Sequence, residues 1–218
     1  MSPVAILRTC YPEKFGVPRQ SGLVPEAWGV IEFEPAFRRP EAVRGIEAFS
    51  HLWLITQFHL IDEDESAKVL TVRPPRLGGN ERRGVYATRS PFRPNRLGLS
   101  VVRLERVEAE VPRLFVSGVD LVDGTPVYDI KPYVPYADSI ADARSSFAHE
   151  APMRITVMWQ TALPPERERA IIEQSIALQP QPAYQDEAGR IYAADIAGWK
   201  VRWSVADEGA SIIDCVRA

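Results

Sequence analysis

Trp53-Leu54-Ile55-Thr56-Gln57-Phe58-His59 is the stretch on which the fold turns. It is apolar on both of its period-2 faces, which predicts a central strand with cover on either side. Val69-Leu70-Thr71-Val72-Arg73 alternates less completely and reads as closer to a sheet edge. Further β-favouring runs surround these two: Val4–Leu7, Trp28–Phe33, Leu52–Phe58, Gly98–Leu104, Leu114–Val119 and Val127–Ile130, separated by Pro, Gly and Asn/Asp clusters. Many short strands with such punctuation predict a sandwich or a barrel. The 19 prolines cluster outside the predicted strand interiors, where a missing N–H does no harm. Asp123-Gly124, followed by Thr125-Pro126, predicts a tight turn that reverses the chain between two strands. Pro40–Phe49 carries Val43, Ile46 and Phe49 at helical spacing and predicts one short helix before the central strand.

After Tyr136 the texture changes. Ala137-Asp-Ser-Ile-Ala-Asp-Ala-Arg-Ser-Ser is small and polar and predicts an extended surface connection. A smaller unit begins near Pro152. There Pro164-Pro165 can open a helix, because the first helical position needs no N–H donor. Ile171, Ile172, Ser175, Ile176 and Leu178 give that helix one apolar side, and Pro180 stops it. Asp195–Val205 then predicts a bend into a strand whose Trp199, Val201, Trp203 and Val205 face one way. The organisation expected is 1–137, a connecting segment 138–151, and 152–218.

With 218 residues, 45% hydrophobic and 25% charged, and a formal net charge of −3, the chain has ordinary globular composition, so any case for a nucleic-acid partner rests on local charge. Cys10 and Cys215 offer neither a disulfide framework nor a Cys-x-x-Cys pair. His51, His59 and His149 share no metal-binding spacing, so no metal is expected. The N-terminus lacks a signal-peptide core and no apolar run approaches the ~20 residues of a membrane helix. A cytoplasmic protein with no membrane span is expected.

Three segments carry chemistry. Arg73, Arg76, Arg82, Arg83, Arg89, Arg93, Arg96 and Arg103 face the single acid Glu81, a basic island in a mildly acidic chain. Clustered arginines suit phosphates and carboxylates, although a solvated face reads the same way. Within it, Ala87-Thr-Arg-Ser-Pro-Phe-Arg-Pro-Asn-Arg-Leu-Gly-Leu-Ser is a Pro-stiffened loop bearing Arg89, Arg93, Asn95 and Arg96, which favours binding in one geometry. Gly118–Tyr136 packs Asp120, Asp123, Asp129 and Lys131 around the predicted turn. If that turn reverses the chain, carboxylates from both arms converge as hydrogen-bond acceptors or a proton acceptor. The plainer alternative is a turn-forming Asp123 and an Asp129–Lys131 pair. Lys14-Phe-Gly-Val-Pro-Arg-Gln-Ser-Gly combines a cation, an amide and punctuation and is weak alone. His59 reads as a strand-end hydrogen-bonding group before a catalytic one, and His51 as structural.

Taken together, Lys14–Gln20, Ala42-Val-Arg-Gly-Ile-Glu-Ala-Phe-Ser-His-Leu-Trp, Val72–Asn80, Gly84-Val-Tyr-Ala-Thr-Arg-Ser-Pro-Phe-Arg-Pro-Asn and Asp120–Tyr133 resemble the TrmO family of tRNA methyltransferases, also known by the TsaA-like domain. The resemblance implies a mainly β protein with some α: a single-sheet β-barrel domain followed by a small α+β C-terminal domain that assists tRNA binding. It also implies a homodimer. Independently, no Gly-x-Gly-x-x-Gly follows a strand, so a Rossmann-type nucleotide fold is not expected. The implied reaction moves a methyl group from S-adenosylmethionine to N6 of N6-threonylcarbamoyladenosine next to the anticodon.

Carried over by motif, Pro18, Arg19, Gln20, His59, Leu60, Arg89, Leu99 and Asp120, Leu121, Val122 and Asp123 would line the cofactor pocket. Arg89 or Arg19 would hold the cofactor carboxylate, and Asp120 or Asp123 its ribose or amino group. Asp129 and Asp120 are the expected proton acceptors, Asn95 would orient the base, and Lys131 would steady charge on the carbamoyl oxygen. Gln179-Pro-Gln-Pro-Ala-Tyr departs from the charged pattern of some members, which bears on tRNA contact. A non-catalytic barrel that binds S-adenosylmethionine or RNA, and a small-molecule methyltransferase, are the alternative readings.

Overall fold

The computed structural model describes residues 2–74, 81–181, 189–206 and 208–218. Its first part contains β1 (Ala5–Thr9), β2 (Trp28–Phe33), β3 (His51–Gln57), α1 (Glu63–Lys68), β4 (Thr71–Val72), β5 (Arg83–Gly84), β6 (Leu97–Glu108), β7 (Arg113–Ser117), β8 (Thr125–Pro132) and α2 (Pro135–Asp138). Six strands close into an antiparallel barrel in the order β1-β2-β7-β6-β3-β8, with β8 returning to β1. Closure leaves no strand edge unpaired, which lets strands this short hold together.

β3 is flanked by β6 and β8, as its apolar faces require. Leu52, Leu54 and Thr56 point into the barrel and are fully buried, while Trp53, Ile55 and Gln57 face outward and are half-buried. The Val69–Arg73 run supplies only the two residues of β4, paired with β5 in a separate ribbon. β6 continues to Glu108, well past the predicted end, because it forms a hairpin with β7.

One expectation is corrected. Pro40–Phe49 is not one helix but two 3-10 turns, Pro40–Val43 and Ile46–Ala48, broken where Gly45 adopts φ +86°. Apolar spacing matched a helix, yet a left-handed residue cannot continue one. Asp123-Gly124 is a turn between two oppositely directed strands, as expected, and those strands are not neighbours: β7 pairs with β2 and β6, and β8 with β1 and β3. The turn ends a crossing, residues 118–124, that spans the barrel from one side to the other.

The second part holds β9 (Val157–Trp159), α3 (Glu166–Ala177), β10 (Ile191–Ile196), β11 (Trp199–Ala206) and β12 (Gly209–Arg217), with the sheet ordered β10-β11-β12-β9. Between the two parts, residues 137–146 are exposed, as their composition predicts, although the segment starts in the short helix α2. Pro165 caps the start of α3, and its Ile171, Ile172, Ser175, Ile176 and Leu178 side is buried. The helix ends at Ala177, ahead of Pro180, with Gln179 left-handed at φ +52°. Pro182–Tyr184 of the Gln-Pro segment lie outside the described residues. Ala197 and Gly198 both have positive φ (53° and 79°), the conformation a two-residue hairpin demands.

The segment after β1 ties the parts together. The ring of Phe15 stacks on Trp203 with centroids 5.7 Å apart and lies 6.3 Å from Tyr192. Tyr11 Oη and Ser175 Oγ hydrogen-bond at 3.0 Å, Ala197 N donates to the Cys10 carbonyl at 2.7 Å, and Asp195 N donates to Glu13 Oε1 at 2.9 Å. The buried core is continuous across this seam. Truncating a half-buried aromatic in such a seam costs about 2 kcal/mol. Phe15→Ala is therefore expected to lower the urea midpoint, and an unchanged denaturation curve would show that the seam carries no stability.

Candidate active site at the barrel mouth

Strand directions place Thr9, Trp28, Gln57, Leu97, Ser117 and Thr125 at the same end of the barrel. The three segments singled out in the sequence all belong to connections at this mouth. The crossing 118–124 seals it: Val119 and Leu121 are buried as a plug. Gly118, at φ +73°, lets the crossing touch the Lys14–Gly22 segment, with Gly22 N donating to the Gly118 carbonyl at 2.9 Å. A Cβ on Gly118 would fit, 3.4 Å from the Gly22 Cα, so glycine is favoured there by the positive φ and not by lack of space.

At the other end of the crossing, Thr9 N donates to Asp123 Oδ1 at 2.9 Å and Asp123 N to the Tyr11 carbonyl at 2.8 Å. Arg8 Nη1 stands 3.6 Å from Asp123 Oδ2. Asp123 is thus occupied as a brace between the turn and β1.

Asp120 is different. One of its oxygens, Oδ1, is shut off from solvent without a hydrogen-bond partner. Burial pushes its pKa up from 3.8 to about 6, against the pull of Ser100, the backbone of Asp120 and Ser21, and Arg89. Ser100 reaches it because β6 alternates: Gly98 and Ser100 point inward and Leu97 and Leu99 outward. Arg89 Nη1 donates to Gln20 Oε1 at 2.5 Å. Gln20, Arg89 and Asp120 therefore converge from three separate connections. A guanidinium with free donors beside a carboxylate of raised pKa can hold an anion and accept a proton in one small space.

His59 sits on the other flank, where its Nε2 is 4.0 Å from a Cβ built on Gly124. Burial lowers its pKa, with Asp123 opposing and Lys14 reinforcing, which favours the neutral imidazole. Lys14 Nζ donates to the Leu60 carbonyl at 2.8 Å, fixing the turn that carries His59.

The remaining expected site residues divide clearly. Pro18 and Leu121 are buried, so only their backbone can meet a ligand; Arg19 and Val122 are half-buried; Leu60 is exposed. Asn95 is exposed on the Arg89 loop. The expectation that carboxylates from both arms of the turn converge is not met. Registers Leu99–Ile55–Asp129 and Val101–Trp53–Lys131 run across the outer wall of β6, β3 and β8, placing Leu99, Asp129 and Lys131 outside the barrel. Asp129 Oδ1 accepts from Ile130 N there. The cause is topological: β8 runs away from the mouth, and a residue four positions along has moved ~13 Å.

The basic island also divides. Arg93 donates to the Val85 and Thr88 carbonyls (3.2 and 2.8 Å), and Arg96 to the Ile61 carbonyl and Glu63 (both 3.0 Å). Arg83 pairs with Glu81 and lies over Phe147, and Arg103 pairs with Glu105 on the outer wall. Arg76 lies outside the described residues. Several arginines thus brace the loop that presents Arg89. Ser100 and Ser21 were not anticipated, although inward alternation along Gly98–Leu104 pointed to Ser100. A cleft of about 650 Å³ leads from Gly22 and Gly118 along the barrel past Val101, His51 and Arg103 to Arg167 of α3.

A closed barrel with a polar site at one mouth, and a small α+β unit docked on the segment that lines that mouth, defines a barrel-type class distinct from Rossmann folds. The solved structure of TrmO from Pseudomonas aeruginosa superposes with a TM-score of 0.79 at 39% identity, covering 99% of this chain and 96% of that one. The tRNA-methyltransferase O N-terminal domain matches residues 6–139 and the TrmO C-terminal domain residues 148–218, and the chain belongs to this family. The tRNA (adenine(37)-N6)-methyltransferase of Escherichia coli is 43% identical over 226 residues, with 96% of this chain and 94% of that protein covered. A Pseudomonas aeruginosa relative described as a candidate S-adenosylmethionine-dependent methyltransferase is 48% identical over 216 residues, covering 93% and 91%.

The raised pKa of Asp120 has a sign that can be checked. Because the folded value, about 6, exceeds the usual 3.8, stability is greatest below the unfolded value and falls as pH rises toward 6. Asp120→Asn carries no charge to bury. It is expected to be more stable than the parent above pH 6, with the gap closing toward pH 4, as read by denaturation at several pH values. A gap independent of pH would mean the carboxylate is not buried in solution.

Proposed function

We propose that this protein methylates N6 of the adenosine at position 37 of tRNA, the reaction named for its relatives, with N6-threonylcarbamoyladenosine as acceptor and S-adenosylmethionine as donor. The observation that carries the reading is the convergence of Asp120, Arg89 and Gln20 at the mouth. When bound, S-adenosylmethionine supplies an electrophilic methyl group on a sulfonium. The residues present fit such a donor: Arg89 and Gln20 offer paired donors to its carboxylate, and the unpartnered Asp120 Oδ1 beside them is left for the proton of the acceptor.

N6 of the acceptor lies between a purine and a carbonyl, where its lone pair is delocalised, so it must lose its proton as it gains the methyl group. Asp120 accepts that proton, being a carboxylate at neutral pH whose burial makes it more basic than an exposed one. Asp123, held by Arg8 and Thr9, keeps the crossing in place. The crossing and the Lys14–Gly22 segment fix the reacting groups in one geometry, which is where most of the acceleration in a displacement at carbon arises.

Residues 1–137 then form the donor-binding catalytic domain, and 152–218 assist with tRNA. Arg103 of the barrel and Arg167 of α3 line one cleft together with Glu26 and Glu105, a surface of mixed charge that reaches both parts. The outer wall supports a homodimer: Leu97 and Leu99 are 45% and 59% exposed beside Ile55 and Trp53, an apolar strip that a second copy would cover. Asp129 and Lys131 border that strip, so pairing would bring them toward a subunit contact. A reducing cytoplasm suits the free thiols Cys10 and Cys215.

Mass spectrometry of tRNA nucleosides after incubation with labelled donor tests the reaction, and donor binding without methylated nucleoside would reject it. Asp120→Asn is expected to slow single-turnover transfer by about 10²–10⁴ while leaving donor affinity within a few-fold. Arg89→Ala should show the reverse, about tenfold weaker donor binding by calorimetry, for loss of a charge-assisted hydrogen bond. The parent rate should fall below pH about 6 as Asp120 protonates. A rate unchanged in Asp120→Asn and lost in Asp129→Asn would move the proton acceptor to the outer wall.

Leu99→Glu is expected to shift the molar mass measured by light scattering to that of a monomer. An unchanged mass would show that the strip is not the contact.

A further inference from the structure

Tyr86 stands out in the basic loop because its ring is 76% exposed while Val85 before it and Thr88 after it are tied into the fold. Val85 is buried, its N–H donating to the Leu70 carbonyl at 3.0 Å, and Thr88 N and Oγ1 both return to the Val85 carbonyl (3.2 and 2.9 Å). Arg93 also donates to that carbonyl from across the loop. The 3-10 turn Val85–Ala87 is thereby held from three directions, and Tyr86 is held out from it. Its face lies 5.9 Å from the Arg93 guanidinium. Arg89, three residues on, reaches into the mouth beside Asp120.

Tyr136 is more exposed still, at 93%, but follows β8 at the opposite end of the barrel, away from the chemistry. Tyr86 is the exposed aromatic that shares a rigid loop with the site. We infer that Tyr86 is a stacking platform for an unpaired nucleobase of the RNA, one adjacent to the acceptor adenosine. This rests on the tRNA reading above and adds the residue that holds the loop open over the site.

The chemistry favours RNA over a protein surface. An aromatic ring offered to solvent on the loop that also bears Arg89, next to the Arg93 guanidinium, matches a base flanked by phosphates, since each base has a π-face and each linkage a negative charge. Stacking on a turn already fixed by hydrogen bonds loses little entropy on binding. It needs no particular base, so it would position the strand, leaving the identity of the acceptor to the mouth.

The test is equilibrium binding of an unmodified anticodon stem-loop RNA, with donor affinity measured in parallel. Tyr86→Ala is expected to weaken RNA binding about tenfold and to raise KM for tRNA more than it lowers kcat, with donor affinity unchanged. Tyr86→Phe should restore binding, because the ring and not the hydroxyl is needed. Tyr86→Trp should bind at least as well and show quenched fluorescence on RNA addition. Parent protein that binds the RNA no better than Tyr86→Ala does would overturn this inference alone. Parent protein that binds no RNA would overturn the functional reading as well.

Discussion

Residues Cys10–Gly22 are gripped from two sides, and the site depends on that grip. On one side the segment meets the barrel: Tyr11 O takes Asp123 N, and Gly22 N donates to Gly118 O. On the other it meets the second sheet, through Phe15 on Trp203, Tyr11 on Ser175 and Cys10 on Ala197. Gln20, which holds Arg89, lies within it. A loop of this length left free would sample many conformations, and fixing it would cost more than one hydrogen bond to a ligand returns. The docked C-terminal unit meets that cost during folding, so the ligand does not have to. That gives the second sheet a part in the barrel's chemistry even without touching a substrate.

The barrel separates two surfaces that the linear sequence runs together. Inward alternation puts Ser100 beneath Asp120, and outward alternation on the same strand puts Leu99 on the wall beside Ile55. The mouth is polar and braced by backbone hydrogen bonds, whereas the wall carries exposed leucines. A site built for displacement at carbon needs the first kind of surface, and a subunit contact needs the second. Because period-2 alternation assigns neighbouring residues to opposite surfaces, one strand can serve both.

Much of the barrel was legible locally. β2 was read to the residue and β1 and β3 to within two, since proline and glycine punctuation marks strand ends and Trp53–Gln57 has no exposed face to spare. The tail of β6 was missed because Glu105–Glu108 is too charged to look like a strand; its place comes from pairing with β7. β12 went unread, and β9 is only three residues, placed by pairing with β12. The Asp123-Gly124 turn was visible as a turn, but which strands it joins is set by pairings tens of residues away. Gly45 broke a helix whose apolar spacing was right, because the pattern records which side chains want burial and not which φ the backbone can take.

The same limit governs the carboxylates. Asp120, Asp123 and Asp129 look alike in sequence, and nothing in their spacing ranks them. In the fold, Asp123 is satisfied by Thr9 and Arg8, Asp129 faces solvent on β8, and Asp120 is half-buried beside Ser100 with one carboxyl oxygen shut off from solvent and unpartnered. The first is engaged by Thr9 N and the Arg8 guanidinium, and the second stands on the outer wall away from the mouth. Only the third combination leaves a lone pair both available and made more basic by its surroundings. What singles it out is its place between Val119 and Leu121, the buried plug, which sets its carboxyl beside Ser100 and partly out of water. The apolar demand of a barrel that must close its own mouth thus sets the basicity of the group placed there.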